Sequence, residues 1–236
     1  MSSPRPTRAE ARVLQIERIK STSRRLMAQK GTSGLSLREV ARDMGVVSSA
    51  LYRYFATRDD LLTALIVDAY NDLGEFAERA VARVPRDEPR RRLHAAATAI
   101  RKWAKTNPNE YALLYGSPVP GYEAPEFTIE PAARVALVLG LIVVDAWHDA
   151  DAAPSEDAPA MNGLLERTLG DVMPGVPETV RARSLMVWSL IFGFISFELF
   201  GHYKGTVRHA NRFFDFVVDE AADLVLPPKR PLMEGR

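Results

Sequence analysis

Cysteine is absent from the 236 residues. That excludes disulfides and thiolate metal sites, and it fits an intracellular, cytoplasmic protein better than a secreted one. The N-terminus lacks the basic-then-apolar order of a signal peptide. Long apolar runs are missing too. The longest, 135–144 and 185–199, are too short or too broken by polar residues to read as membrane spans, so no membrane partner is expected. There is no phosphate-cradling glycine loop, no H-E-x-x-H pair and no nucleophile elbow, so no catalytic residue is assigned and no enzyme is expected. His94, His202 and His209 are isolated in sequence. Asp145 and His148 have a spacing that can hold a metal, but a carboxylate-rich helix end beside an acidic loop reads as solvated surface. No metal and no cofactor are expected. Excess charge of one sign is also lacking, with a formal net charge of +1.

What is present is unevenly distributed. Residues 1–60 carry 12 Lys/Arg against 6 Asp/Glu, and residues 61–236 carry 19 against 24. A basic head on a mildly acidic body points to a polyanion at the head alone. The apolar residues follow helical spacing, and no run has the period of two expected of a strand, so the chain reads as all-α with about nine to ten helices. Residues 1–6 form an arm. Thr7-x-x-Glu10 reads as a capping box opening a first helix, with Val13, Ile16, Ile19, Leu26 and Met27 on its stripe, that stops at Gly31. Ser36-x-x-Glu39 opens a second, which closes at Gly45, and the third spans about Ser48–Tyr54. Thr57-x-x-Asp60 opens a fourth that continues to about Ala82.

The spacing places further helices at about Arg90–Thr106, at Pro108–Tyr115 behind an Asn107 cap, and at about Thr128–Asp149. The segment Gly116–Pro125 is irregular, and an acidic loop follows over 149–159. A short helix near Asn162–Leu169 comes next, and the last two helices span about Glu178–His202 and Thr206–Leu226. These divisions give a first domain over 7–56, a connecting helix over 57–84, a second domain over 85–227 and a tail over 228–236.

Two short helices joined at Gly45 and followed by a longer one have the layout of a helix-turn-helix DNA reader. Leu37, Val40, Ala41 and Met44 make the core stripe of the second helix, and Leu51 and Phe55 pin the third. Ser48, Ser49, Ala50, Arg53 and Tyr54 are left facing away. Small residues let the helix backbone approach the major-groove floor, and Arg53 can reach a guanine edge or a phosphate. Tyr52 and Tyr54 can donate hydroxyls to phosphates. Ser36 and Thr57 sit at helix N-termini that favour a phosphate, with Arg58 beside Thr57.

Residues 37–62, with Val-Ala-x-x-Met-Gly-Val, Ala-Leu-Tyr-Arg-Tyr-Phe and Arg-Asp-Asp-Leu-Leu, closely resemble the N-terminal domain of TetR/AcrR-family transcriptional regulators. The resemblance covers about residues 8–66. It implies that Tyr52 is the family's phosphate-contacting tyrosine, Tyr54 its second aromatic and Arg58 its helix-four basic residue, usually a Lys. Val47, also counted in the DNA-facing set, stands where the family usually has a capping Ser or Ala, which shifts the cap to Ser48. The segment from Trp103 to Tyr122, together with Trp188-Ser-Leu-Ile-Phe-Gly193, resembles the WHG-type C-terminal domain, with Phe192 in place of its His.

The last two long helices are apolar on nearly all sides and need a partner chain. The resemblance implies that 85–227 is a ligand-binding and dimerisation domain, and that the chain forms a homodimer through a four-helix bundle, here by way of Leu190, Phe194, Phe197, Phe213, Phe216, Val217 and Leu224. Two reading helices would then lie about one DNA turn apart, roughly 34–36 Å, on a pseudo-palindromic operator of double-stranded DNA. An effector pocket for a small hydrophobic molecule is expected, lined by Trp103, Tyr111, Tyr115, Leu139, Val143, Trp147, Trp188, Phe192, Ile195 and Ser196. The function this implies is a repressor released by that ligand. A ligand-independent regulator or an activator of the same fold stays open, as does, remotely, an all-α enzyme. Glu198 is the one charge within the apolar helix, with a partner chain, Arg208, Arg212 or the pocket as its candidate counterparts.

Overall fold

The structure, a computed structural model, describes residues 7–31, 34–150 and 171–227. The arm 1–6, the expected helix near 162–169, most of the acidic loop and the tail lie outside the described residues. Within them the protein is all-helical. The complete helices are α1 (Arg8–Lys30), α2 (Leu37–Asp43), α3 (Ser48–Leu51), α4 (Arg58–Val81), α5 (Pro89–Thr106), α6 (Pro108–Tyr115), α7 (Ile129–Asp149), α8 (Glu178–Leu199) and α9 (Ala210–Val225), with a 3-10 turn at Glu126–Thr128.

Local chemistry sets the starts and stops. The Thr7 hydroxyl accepts from the Glu10 N–H at 3.2 Å while the Glu10 carboxylate accepts from the Thr7 N–H at 2.7 Å, a complete capping box. Thr57 and Asp60 make the same reciprocal pair at 3.0 and 2.8 Å. Ser36 accepts from the Glu39 N–H at 3.2 Å. Glu39 itself turns away to Lys30 and Arg42, so the second box is half of one. Gly45 at φ 69° supplies the left-handed residue between α2 and α3. Asn107 makes no side-chain cap at α6, where Pro108 fixes the first turn instead. The last two helices are shorter than their apolar runs, because Gly201 and Gly205, both at positive φ, turn the chain between them.

The chain packs as two units. The first holds residues 1–71 and 107–131, so α6 and the irregular segment after it pack with the helix-turn-helix and not with α5. Ile19, Leu26, Val40, Leu51, Phe55, Leu62 and Leu113 form its core, with Tyr122 packed against it. The Thr63 and Tyr122 hydroxyls meet at 2.9 Å, tying that segment to α4. Val13, expected on the apolar stripe of α1, is 59% exposed. The first two turns of α1 lie outside the core, since residues 8–14 are all exposed.

The second unit holds residues 72–106 and 132–236. Here α5 packs on α8 and α9, around Ile100, Ile191, Phe194 and Phe214. A charge cluster is set into that packing. Arg101 donates to both oxygens of Glu198, at 2.7 and 2.6 Å, and to Asn211 at 2.9 Å. Its guanidinium lies 4.7 Å from the centre of the Phe214 ring. Lys105 adds a second cation at 3.0 Å from Glu198. Glu198 therefore pairs with α5 and not with Arg208 or Arg212. The hydrogen bond from Arg101 holds its carboxyl below the usual range, and Lys105 adds to this; burial pushes the other way and loses.

Candidate nucleic-acid interface and effector cavity

The candidate reading helix α3 is anchored from one side. Leu51 and Phe55 are 1% and 7% exposed. The chain beyond Leu51 turns more tightly, with the Tyr54 N–H donating to the Leu51 carbonyl at 2.9 Å, which ends the regular helix three residues before Tyr54. Opposite the buried pair, Ser49, Tyr52 and Arg53 are exposed and Ser48 and Ala50 half-buried. Val47 occupies the cap position, 71% exposed and with no side-chain cap bond. Ser48 does not take over that role. It is the first helical residue, and its carbonyl accepts from the Tyr52 N–H.

Two of the expected DNA-facing residues have internal duties. Tyr54 is half-buried against the core and lies under the Arg12 guanidinium, 5.2 Å from its ring centre. Arg58 donates from Nε to the Leu35 carbonyl at 2.9 Å and sits 3.3 Å from Asp59. It braces the segment before α2 as well as presenting charge at the start of α4. Ser36 and Thr57 are engaged as caps.

Arg12 was not visible as a site residue in the sequence. Its Nη1 donates to the Arg53 carbonyl at 3.4 Å, so α1 reaches across to the end of the reading helix. The signal for it is faint: a basic residue on a helix segment that turns out to lie outside the core.

In the second unit, an apolar cavity of about 160 Å³ lies among α5, α7, α8 and α9, bounded also by Met173. Leu139, Val143 and Trp188 line it as expected, and Leu93, Ala136, Gly140, Ser184, Leu185, Val187 and Val225 complete it. The other seven expected lining residues lie elsewhere. The Trp103 indole N–H donates to Asp72 at 2.6 Å. That of Trp147 donates to the Val225 carbonyl at 2.8 Å, capping the end of α9. Phe192 stacks behind Trp188, with ring centres 4.4 Å apart. Ile195 is fully buried and Ser196 half-buried in α8. Tyr111 and Tyr115 belong to the first unit, where their rings pack at 5.2 Å. The spacing marked these aromatics as internal but could not say which neighbours they meet.

Asp145 is paired with two arginines. Arg92 and Arg86 take one carboxylate oxygen each, at 2.7 and 2.5 Å. Burial raises its proton affinity, and the two guanidiniums overcome that and lower it. Among the described residues no three His, Asp or Glu side chains gather as a metal site.

On the expected dimer face the residues separate. Leu190, Phe197 and Phe216 are 40%, 51% and 56% exposed. Phe213 and Leu224 are half-buried. Phe194 and Val217 are buried within the protomer, at 3% and 8%. Phe194 sits among Tyr203, Phe213 and Phe214, because α8 turns that side towards α9 and not outwards. Met186 and Phe200, at 58% and 49% exposed, join the outward stripe in their place.

The sequence matches known proteins at both ends. Residues 19–65 match the model of the bacterial regulatory proteins of the tetR family, and residues 93–221 match that of the tetracyclin repressor-like C-terminal domain. HTH-type transcriptional regulator Rv1816 of Mycobacterium tuberculosis (strain ATCC 25618 / H37Rv) is 41% identical over 198 residues, which span 80% of this chain and 82% of the relative.

The chain belongs to the TetR family.

Among solved structures, regulatory protein SCO4313 superposes with a TM-score of 0.77 at 30% identity, over 92% of this chain and 100% of the other. The TetR family transcriptional regulator PfmR from Thermus thermophilus shares the fold, with a TM-score of 0.55 at 19% identity over 91% and 100% of the two chains. The protein is thus a DNA-binding transcriptional regulator of the TetR family.

Proposed function

We propose that this TetR-family regulator is a cytoplasmic homodimeric repressor, released from a pseudo-palindromic operator when a small hydrophobic molecule enters the cavity on α7 and α8. The observation that carries ligand release is the cavity itself, whose described walls bear no charged side chain. A void walled by apolar side chains forfeits dispersion contacts that an apolar guest restores. The exposed stripe Met186, Leu190, Phe197 and Phe200 on α8, with Phe216 on α9, supports the dimer, since side chains of this size gain from burial against a second copy. α4 contributes residues to both units, and it is the element through which a guest would act on the reader.

At the DNA, Ser48, Ser49, Ala50 and Arg53 read base edges. Tyr52, with the helix starts at Ser36 and Thr57, and Arg58 contact phosphate, and Arg12 fixes Tyr54 and the backbone of Arg53. The test is a gel shift on the DNA upstream of the protein's own gene, with and without a panel of neutral and charged apolar compounds. Retardation by the wild type, its loss in Tyr52→Phe/Arg53→Ala and its reversal by at least one compound are expected. Retardation that no compound reverses would leave a regulator without an effector.

A further inference from the structure

We infer that the effector is an apolar organic acid whose hydrocarbon part fills the α7–α8 cavity and whose carboxylate is held by Arg181. The inference rests on the cavity being the effector site. The described walls offer an anionic head no charged partner; their polar side-chain groups are the Trp188 indole N–H and the Ser184 hydroxyl. Their one hydroxyl, Ser184, is committed to the Val180 carbonyl at 2.9 Å.

One helical turn before it the chemistry changes. Arg181 is half-buried on α8, and its Nε is buried without a hydrogen-bond partner among the described residues. The other buried cations behave differently. Arg92 rests on Asp145, Arg101 on Glu198 and Lys20 on Asp68. A guanidinium stays protonated at all working pH values, so it cannot escape the cost of an unmet donor by losing its proton. An unsatisfied buried donor is costly, and an anion removes that cost with a charge-assisted bond.

Position supplies the rest. Residues 181, 184, 185 and 188 fall three, four and seven apart, which is one face of a helix. Ser184, Leu185 and Trp188 are cavity residues. The face of α8 that lines the apolar space therefore carries, one turn earlier, a guanidinium whose Nε has no hydrogen-bond partner among the described residues. An apolar tail and an anionic head one turn apart match this face, and a neutral hydrocarbon leaves Arg181 as it is.

Isothermal titration calorimetry with octanoate and 1-octanol tests this, since the two probes share a chain and differ in the head. The wild type should bind octanoate at least tenfold more tightly than octanol. Arg181→Met should bind the two alike, at the affinity the wild type shows for octanol, and Arg181→Lys should keep part of the preference. Retained octanol binding in Arg181→Met shows that the variant is folded with its cavity intact. Equal binding of both probes by the wild type would overturn the role of Arg181 and leave the cavity as effector site. Binding of neither probe, to a wild type that still retards DNA, would remove the effector reading and this inference with it.

Discussion

Arg53 and Arg12 meet through one backbone carbonyl, yet their substitution should give different results. Arg53, just beyond α3, is exposed on the side opposite the core, the side proposed to read DNA. Arg53→Ala should cost about 1–3 kcal/mol on the preferred operator and relax the choice of base at one position, as read by binding to a set of singly substituted operators. Arg12 holds Tyr54 and the end of α3, so Arg12→Ala should weaken binding to all operators alike. The outward position of Arg53 was legible in the sequence, because a basic residue opposite Leu51 and Phe55 must face outwards. The role of Arg12 was not, because nothing in the spacing says that the first two turns of α1 leave the core and reach back to residue 53.

Glu198 is a second case, in which burial is legible from the sequence and the partner is not. A lone carboxylate within apolar residues had to be paired, but Arg101 lies 97 residues earlier. The pairing has a definite pH signature. The folded-state pKa is lowered below the ordinary 4.5, so the stabilisation is fully present above that value and is lost as pH falls through the lower folded value. Urea midpoints should therefore drop below about pH 4.5, and Glu198→Gln should flatten that drop. At pH 7 the same substitution leaves Arg101 without its counter-charge and should cost about 3 kcal/mol.

At the scale of whole helices, α4 and α7 meet where a side chain crosses a glycine. A Cβ on Gly74 would stand 2.5 Å from Cδ of Arg134. Arg134 cannot easily move aside, because Nε and Nη2 each donate to Glu78 at 2.6 Å. In an open helix interior Gly→Ala stabilises by about 1 kcal/mol. Here the clash should reverse the sign, with Gly74→Ala destabilising by about 1–3 kcal/mol. In an Arg134→Ala background the same change should stabilise, and thermal or urea unfolding of the four proteins measures both.

Most helix starts were legible at this scale, since Thr7, Ser36, Thr57 and the 3.6-residue period act over a few residues. The ends of α3 and α8 were not, because tight turns after Leu51 and around Gly201 follow from packing. α7 with its preceding turn and α8 are also long and apolar enough to cross a membrane, against the reading of their runs as too short. In this TetR-family chain α7 lines the cavity, and α8 divides its apolar surface between the core, the cavity and the outward stripe.

For the molecule as a whole, the account requires two copies. Phe197→Glu places a charge on the exposed stripe of α8, away from the core and the cavity. Sedimentation should shift from dimer to monomer while the melting of the isolated protomer changes little. Operator affinity should fall steeply with it, since a single reading helix has only half of a pseudo-palindrome to bind. The apolar excess of the last helices points to a partner chain in the sequence. Which residues would face it was not legible there, because Phe194 and Val217 differ from Phe197 and Phe216 only in the side of the helix that packing turns inwards.

The most direct test of the central claim is a DNA footprint of the wild type and Arg53→Ala on the region upstream of the protein's own gene. Two protected patches on one side of the duplex, centred about one helical turn apart, roughly 34–36 Å, are expected for the wild type, with their loss in the variant. No protection at low salt, or protection that Arg53→Ala leaves unchanged, would contradict that claim.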